Sequence, residues 1–224
     1  FGKALTLTQT DDEITLHGTS QEDFELIWKP YFDLERDYAL VIKEVSVNET
    51  VKRAAEFSSG IRLLNQEPWE ALVSFIISQN NNIPRIKGII ERLCENFGEK
   101  INGGYAFPSA EVVAKLTIDD LAVIRSGFRA KYILDAAQKV VSGEIDLDEL
   151  KITNYDTARE KLMTIKGVGP KVADCVLLYG LGHKNAFPRD VWIKRAMEVL
   201  FGGNLPKEAE EYAGMQQAVV DWKR

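Results

Sequence analysis

The sequence of 224 residues is poor in cysteine and histidine and has no long apolar run. Its two cysteines, Cys94 and Cys175, form no Cys-x-x-Cys spacing, which excludes a four-thiolate iron–sulfur cluster and a structural zinc site. No run approaches the roughly 18 apolar residues of a membrane span, and the first residues lack the charged and apolar regions of a signal peptide. The sequence predicts a soluble intracellular protein with reduced thiols and no membrane partner.

Acidic residues outnumber basic ones, and the net charge of -6 argues against indiscriminate binding of polyanions. The basic residues are unevenly placed, because residues 151–195 hold nine Lys or Arg against four acids. This segment favours a local phosphate-binding surface, although a basic run is more often an ordinary solvated face. Charge alone leaves both alternatives open.

The first 20 residues alternate in the manner of β-strands. Leu5, Leu7, Ile14 and Leu16 take the apolar positions, and threonines lie between them. The pattern predicts a two-stranded hairpin with one buried face. We expect the sheet to extend upstream of residue 1, because two strands alone are marginal.

Helical periodicity dominates after residue 20, and no further strand pattern is visible. Proline and glycine bound three apolar helical segments, at 68–78, 86–97 and 130–141. Thr117 and Asp120 have the spacing of a capping box for a short helix that Gly127 ends. Short helices with short connections predict a mainly α fold.

Residues 156–181 have the pattern of two helices joined by a tight turn. The turn is Gly167-Val168-Gly169, and Pro170 takes the first position of the second helix. Glycines leave the amide N–H groups uncovered, and the helix N-terminus adds partial positive charge, so a phosphate can approach the main chain. The ordinary alternative is an αα-hairpin without a ligand.

Four separated segments carry a resemblance to a known family: SFIISQNNNIPRIKGIIERLCENFG, GFRAKY, GVGPKVADC and FPRDVW. Together they resemble the 8-oxoguanine DNA glycosylases of the helix-hairpin-helix superfamily, from about Leu5 to Ala218. The resemblance implies a mainly α fold with a small N-terminal antiparallel sheet and two helical lobes flanking a DNA cleft. It divides the chain into a sheet-containing domain over 1–60 and a glycosylase core over 61–224.

Lys171 and Asp190 are the predicted catalytic residues. Lys171 lies in the first turn of the second hairpin helix, where the helix end and burial disfavour the ammonium form. In the resembled family, the matching lysine displaces the base, forms a Schiff base and permits β-elimination. Asp190 is predicted to cap the helix that follows it and to stabilise the developing sugar cation. The resemblance places Cys175 and Gln217 in the base pocket.

The resemblance also implies a set of DNA contacts. Asn80, Arg85, Phe128 and Arg129 match the residues that fill the gap left by a flipped base and donate to the unpaired cytosine. Each also has an ordinary structural explanation: a helix cap, a core aromatic or a solvated charge. The further predicted contacts are Gly167, Val168, Gly169, Arg189 and Trp192, and the carbonyls of Met163, Ile165 and Val168 form a predicted cation site.

The resemblance implies a monomeric N-glycosylase and AP lyase that removes 8-oxoguanine opposite cytosine and requires no cofactor. Two alternatives stay open: a non-catalytic DNA-binding module and a glycosylase for another damaged base. A binding module does not need Lys171 and Asp190 together, and an alkylated-base glycosylase would lack the lysine. An endonuclease III type would carry four C-terminal cysteines, which this sequence does not have.

Overall fold

The computed structural model describes residues 2–11, 13–46 and 49–201. The predicted mainly helical fold with a small antiparallel sheet is confirmed. Two antiparallel hairpins pair β1 with β2 and β3 with β4. The strands of the described residues are β1 (Thr6–Gln9), β2 (Ile14–His17), β3 (Lys100–Ile101) and β4 (Gly104–Tyr105).

Helices account for most of the described chain. Phe24–Trp28 forms a π-helical segment between the first two helices, and Asp120–Ile124 and Gly127–Arg129 form 3₁₀ turns. The α-helices are α1 (Gln21–Asp23), α2 (Lys29–Tyr31), α3 (Tyr38–Val45), α4 (Glu49–Phe57), α5 (Pro68–Ser78), α6 (Ile83–Phe97), α7 (Ala110–Ala114), α8 (Ala130–Val141), α9 (Leu147–Ile152), α10 (Tyr155–Met163), α11 (Pro170–Tyr179) and α12 (Val191–Phe201). No helix within the described ranges combines the length and apolarity needed to cross a membrane.

The chain forms two compact units, each built from two stretches of sequence. Unit 1 contains Phe1–Tyr31 and Asn65–Pro188, with both hairpins and α1, α2 and α5–α11. Unit 2 contains Phe32–Leu64 and Arg189–Arg224, with α3, α4 and α12. The division at residue 60 that the resemblance implies stays a prediction.

Helices α5 and α11 form the centre of unit 1. Six residues of α5 are buried, and Leu72 and Ile76 have no exposed surface. Helix α11 packs against α5 and buries every residue from Val172 to Leu178. Because burial of a Leu or Ile side chain contributes about 1.5–3 kcal/mol, this contact fixes the position of α11 firmly.

Three local predictions need correction. The β1–β2 hairpin has the predicted strands, but Leu7 is 47% and Ile14 is 62% exposed, so the predicted buried face is wrong. The prediction of no strand after residue 20 is also wrong, since β3 and β4 exist. The capping box joins Thr117 and Asp120 as predicted, but the 3₁₀ helix ends at left-handed Arg125 (φ 55°) and not at Gly127.

Candidate functional site

The hairpin formed by α10 and α11 has two glycines in its turn, and the fold requires glycine at only one of these positions. Gly167 has a φ of +77°, and a Cβ there would lie 2.4 Å from the ring of Tyr132, so the fold itself requires glycine. Gly169 is the N-cap of α11, with an extended backbone at φ -97°. A Cβ at Gly169 would meet nothing within 4 Å. Gly169 therefore leaves the start of α11 uncovered although packing does not demand it.

A buried polar cluster joins the two helices of the hairpin. Asp174 on α11 has no exposed surface, and its Oδ1 accepts from the Tyr155 hydroxyl at 2.8 Å and from Arg159 Nε at 3.1 Å. Burial, followed by the hydrogen bond to this carboxylate, raises the pKa of Tyr155. Since Asp174 lies between Lys171 and Cys175, this cluster fixes the rotation of α11 about its axis and hence the direction of both side chains.

Lys171, half-buried in the first turn of α11, faces the aromatic side of α5. Its Nζ lies 5.6 Å from the ring centroid of Phe75. Phe75 in turn stacks on Tyr179 at 5.6 Å, and Cys175 is 3% exposed. Lys171, Cys175 and Tyr179 are spaced four residues apart and share one helix face. The sequence does not predict Phe75 as a neighbour of the amine, because its apolar position in α5 indicates only the core.

Asp190 caps α12, which is the structural role that its position predicts. Its Oδ1 accepts from the N–H groups of Trp192 at 2.9 Å and Ile193 at 2.8 Å. Trp192 is 68% exposed, and the Arg195 guanidinium lies 5.2 Å from its ring centroid. Arg189 is half-buried. Gln217, the other predicted pocket residue, lies outside the described residues.

The predicted wedge residues come together in unit 1 from three separate segments. Asn80 follows α5 with a left-handed φ of +44°, and its side chain is exposed. Phe128 is 50% exposed and packs edge to face on Tyr132. Arg85 is exposed in the first turn of α6, and its Nη2 lies 3.9 Å from the place of a Cβ on Gly127. We call Asn80, Arg85, Phe128 and Arg129 the wedge cluster.

Arg129 differs from the other members because it is 1% exposed. Its Nε donates to the Gln79 carbonyl at 3.0 Å, its Nη2 to the Asn80 carbonyl at 2.9 Å and its Nη1 to Ser126 at 3.2 Å. Burial, and then the charge of Arg85, lower its pKa. Arg129 thus holds the left-handed segment after α5, and its predicted contact with the cytosine stays a prediction.

The described residues contain no group of three or more His, Cys, Asp or Glu side chains that could hold a metal ion. The predicted cation ligands at the hairpin are backbone carbonyls. One of them, the carbonyl of Ile165, accepts from Val168 N–H at 3.0 Å. The cation site stays a prediction.

Comparison with known proteins places these features in a family. Residues 1–72 match the N-terminal domain of 8-oxoguanine DNA glycosylase, and residues 73–217 match the HhH-GPD superfamily base excision DNA repair protein. The second match covers more than half of the chain and includes the hairpin and the wedge cluster.

The chain belongs to the HhH-GPD superfamily of base excision DNA repair proteins.

The proteins similar to this chain include two kinds of glycosylase. An N-glycosylase/DNA lyase of Saccharomyces cerevisiae is 38% identical over 181 residues, which is 74% of this chain and 48% of that protein. A DNA-3-methyladenine glycosylase of Bacillus subtilis is 29% identical over 99% of this chain and 74% of that protein. The chain therefore spans about half the length of the yeast relative.

One solved structure matches the chain almost throughout. The Clostridium acetobutylicum 8-oxoguanine glycosylase/lyase, in complex with double-stranded DNA containing cytosine opposite 8-oxoguanine, superimposes with a TM-score of 0.91 at 36% identity. The match covers 97% of this chain and 77% of that one. This HhH-GPD member thus shares its fold with a protein described as acting on 8-oxoguanine.

Proposed function

We propose that this HhH-GPD protein removes 8-oxoguanine from duplex DNA and then cleaves the strand as an AP lyase. The observation that carries the proposal is Lys171, a half-buried amine in the first turn of α11, beside Phe75 and one turn before Cys175. The likeness to the Clostridium 8-oxoguanine glycosylase/lyase supports this substrate. A monofunctional glycosylase that uses water has no need of an amine at this point.

The proposed reaction begins with the neutral amine of Lys171. It attacks C1′ of the deoxyribose, the bond from C1′ to the base breaks, and the base leaves with a proton. Positive charge develops on the sugar in the transition state, and the Asp190 carboxylate, kept rigid by its N-cap hydrogen bonds, stabilises it. The C1′–O4′ bond then breaks, O4′ takes a proton, and the bond between Nζ and C1′ becomes the Schiff base. The Schiff base allows loss of a C2′ proton and departure of the 3′ phosphate. Cys175 and Gln217 complete the base pocket in this proposal.

The remaining predicted residues hold the duplex. The hairpin amides around Gly167, Val168 and Gly169 take a backbone phosphate, with Arg189 and Trp192 as further contacts. The wedge cluster fills the gap that the flipped base leaves and donates to the unpaired cytosine. The carbonyls of Met163, Ile165 and Val168 would hold a cation, which would add positive charge at the phosphate, and neutral oxygen ligands suit a hard cation.

A second candidate, excision of an alkylated base, is favoured by the 29% identity to the Bacillus 3-methyladenine glycosylase over nearly the whole chain. The two candidates differ in mechanism. Only the first requires a covalent intermediate between enzyme and sugar, so a single trapping experiment separates them.

The test is borohydride trapping on a duplex with 8-oxoguanine opposite cytosine. Borohydride reduces the Schiff base to a stable amine, which retards the labelled strand on a denaturing gel. We expect a trapped product with the wild type and none with Lys171→Gln, although the variant still binds the duplex. Lys161→Gln, an exposed lysine on the preceding helix of the same hairpin, is the matched control and should trap normally.

Two results would contradict the proposal. Trapping of Lys171→Gln at the wild-type level would remove the catalytic role of Lys171. Release of 3-methyladenine by the wild type, with no trapped product on the 8-oxoguanine duplex, would favour the second candidate.

A further inference from the structure

Helix α8 begins directly after Phe128 and Arg129 and runs along the hairpin turn. Tyr132, Asp135 and Lys139 follow one another at spacings of three and four residues, so they share one face of α8. Each of the three contacts the turn that joins α10 to α11. None of the three belongs to the predicted site residues.

This face of α8 contacts the turn between Thr164 and Gly167. Lys139 Nζ donates to the carbonyl of Thr164 at 3.0 Å. Asp135 is 9% exposed, and its Oδ2 accepts from the backbone N–H of Lys166 at 2.8 Å. The Tyr132 ring occupies the space that a side chain at Gly167 would need. The turn therefore takes its position from α8 as well as from its own helices.

Two members of the wedge cluster, Phe128 and Arg129, lie directly before the N-terminal end of the same helix. Arg129 precedes α8 and holds the carbonyls of Gln79 and Asn80, and Phe128 packs against Tyr132 at 5.8 Å between ring centroids. An α-helix is stiff over twelve residues, so a displacement of α8 moves both sets together. The hairpin turn is predicted to contact the phosphate, and Phe128 and Arg129 are predicted to contact the gap in the duplex. Both sets are thus connected to one rigid helix.

We propose that Tyr132, Asp135 and Lys139 are positioning residues that fix the hairpin turn in register with the wedge cluster through α8. The proposal rests on the proposed function in one respect, that the hairpin turn and the wedge cluster both contact DNA. Asp135 has the central part, because its carboxylate accepts the backbone N–H of Lys166 from within the core.

Because Asp135 is charged, the direction of the change in DNA affinity tests the proposal. Loss of a negative charge close to a phosphate site by itself strengthens DNA binding. Loss of the acceptor for Lys166 N–H instead frees the turn and weakens binding. Asp135→Asn removes the charge and keeps an acceptor oxygen, whereas Asp135→Ala removes both. Gln138→Ala, an exposed position on the same helix, is the matched control.

The experiment measures the Kd for undamaged and 8-oxoguanine duplexes, well below the unfolding temperature of each variant. We expect Asp135→Ala to raise both Kd values about tenfold, the scale of one lost hydrogen bond to a charged group. Asp135→Asn should bind at least as tightly as the wild type, and Gln138→Ala should be unchanged. Single-turnover excision at saturating protein should change much less than Kd in Asp135→Ala.

Hydrogen exchange at the Lys166 amide gives a second readout that does not depend on DNA. The amide should exchange faster in Asp135→Ala than in the wild type and stay protected in Asp135→Asn. If Asp135→Ala does not fold, Lys139→Met takes its place in the exchange measurement, because it removes the contact to Thr164 from a partly exposed side chain.

Three outcomes would overturn the proposal. The first is an unchanged Kd in Asp135→Ala together with faster exchange at the Lys166 amide. The others are a loss of DNA affinity in Asp135→Asn, or in Gln138→Ala, as large as the loss in Asp135→Ala. Failure of the proposed function looks different. A wild type that does not excise 8-oxoguanine, but whose duplex binding follows the expected order of variants, would refute the chemistry and leave the role of α8 intact.

Discussion

The Asp190 carboxylate has two proposed roles: it caps α12, and its negative charge stabilises the sugar cation. Its Oδ1 accepts both cap hydrogen bonds at the start of α12. Asparagine caps a helix about as well as aspartate, so Asp190→Asn separates the two roles. We expect base excision to slow by about 100-fold, the scale of one lost electrostatic stabiliser, with a nearly unchanged melting temperature.

Single-turnover kinetics beside thermal melts would check this expectation. Parallel losses of rate and melting temperature would mean that Asp190 serves only as a cap.

Glu70, in the first turn of α5, offers a pH-dependent test of the core. Burial, joined by the charge of Glu67, raises the pKa of Glu70. A raised pKa means that ionised Glu70 costs stability in the folded state, a cost that is absent below the unfolded pKa and grows as pH rises through the folded pKa.

Glu70→Gln should therefore raise the melting temperature above about pH 7 and leave it unchanged below about pH 4, where glutamate is protonated in both states. Melts across this range would measure the difference. A constant difference at every pH would show that packing, and not ionisation, separates the two side chains.

At the scale of elements, the hairpin turn provides a variant that separates binding from folding. A Cβ at Gly169 points into open space and the backbone is extended, so Gly169→Val meets no clash and should lower the melting temperature only slightly, through the poorer N-cap. The added side chain should nevertheless cover the amides at the start of α11 and keep a phosphate away. We expect weaker binding to all duplexes alike, because phosphate contacts carry no sequence information.

Fluorescence anisotropy with undamaged, mismatched and 8-oxoguanine duplexes would measure this effect. A loss restricted to the damaged duplex would place Gly169 in the base pocket instead. Gly167→Ala is the contrasting variant, since its Cβ would lie 2.4 Å from Tyr132, and it should lower the melting temperature.

The predictability of the elements from sequence depended on their length. Helices α5 and α8 span several turns and have the predicted limits, whereas α6 begins at Ile83, three residues before the predicted start at 86. Strands β3 and β4 have two residues each, which is too short for any alternation to be visible. The prediction of a buried face on β1 and β2 was wrong for another reason. Burial depends on what packs over a sheet, and the alternation of apolar residues does not show which element that is.

The candidate site was predictable where one segment carries the signal and unpredictable where distant segments meet. Lys171 and the glycine turn lie within one short motif. Phe75, which lies against Lys171, and Asp135, which holds Lys166, come from other helices. Arg129 shows the limit of motif reasoning most clearly, because only the three-dimensional arrangement places its guanidinium against the Gln79 and Asn80 carbonyls.

At the scale of the whole molecule, preference for the opposite base depends on segments far apart in sequence. An exposed arginine can donate to the O2 and N3 acceptors of an unpaired cytosine, whereas adenine presents an amino donor. We expect excision of 8-oxoguanine opposite cytosine to exceed excision opposite adenine. Arg85→Ala should lower the preference for cytosine about tenfold to a hundredfold, the value of about 1–3 kcal/mol for a specific base contact.

Excision opposite C, A, G and T would be compared for the wild type, Arg85→Ala, Arg129→Ala and the double variant. Because Arg129 is buried and bonded to carbonyls, Arg129→Ala should also lower the melting temperature. Equal loss with all four partners in the double variant would show that the arginines only hold the backbone.

Residues 32–64 interrupt the sequence of unit 1, so during synthesis they delay the folding of that unit. Asn65 N–H donates to the Tyr31 carbonyl at 2.9 Å, so the first stretch of unit 1 is completed only by residues that leave the ribosome later. At about 5–20 residues per second, synthesis of residues 32–64 takes roughly 2 to 7 s. Throughout that delay Trp28, 7% exposed in the folded protein, lacks Gln66, Glu67 and Glu70, which line a cavity with it, and its indole is open to a nascent-chain chaperone.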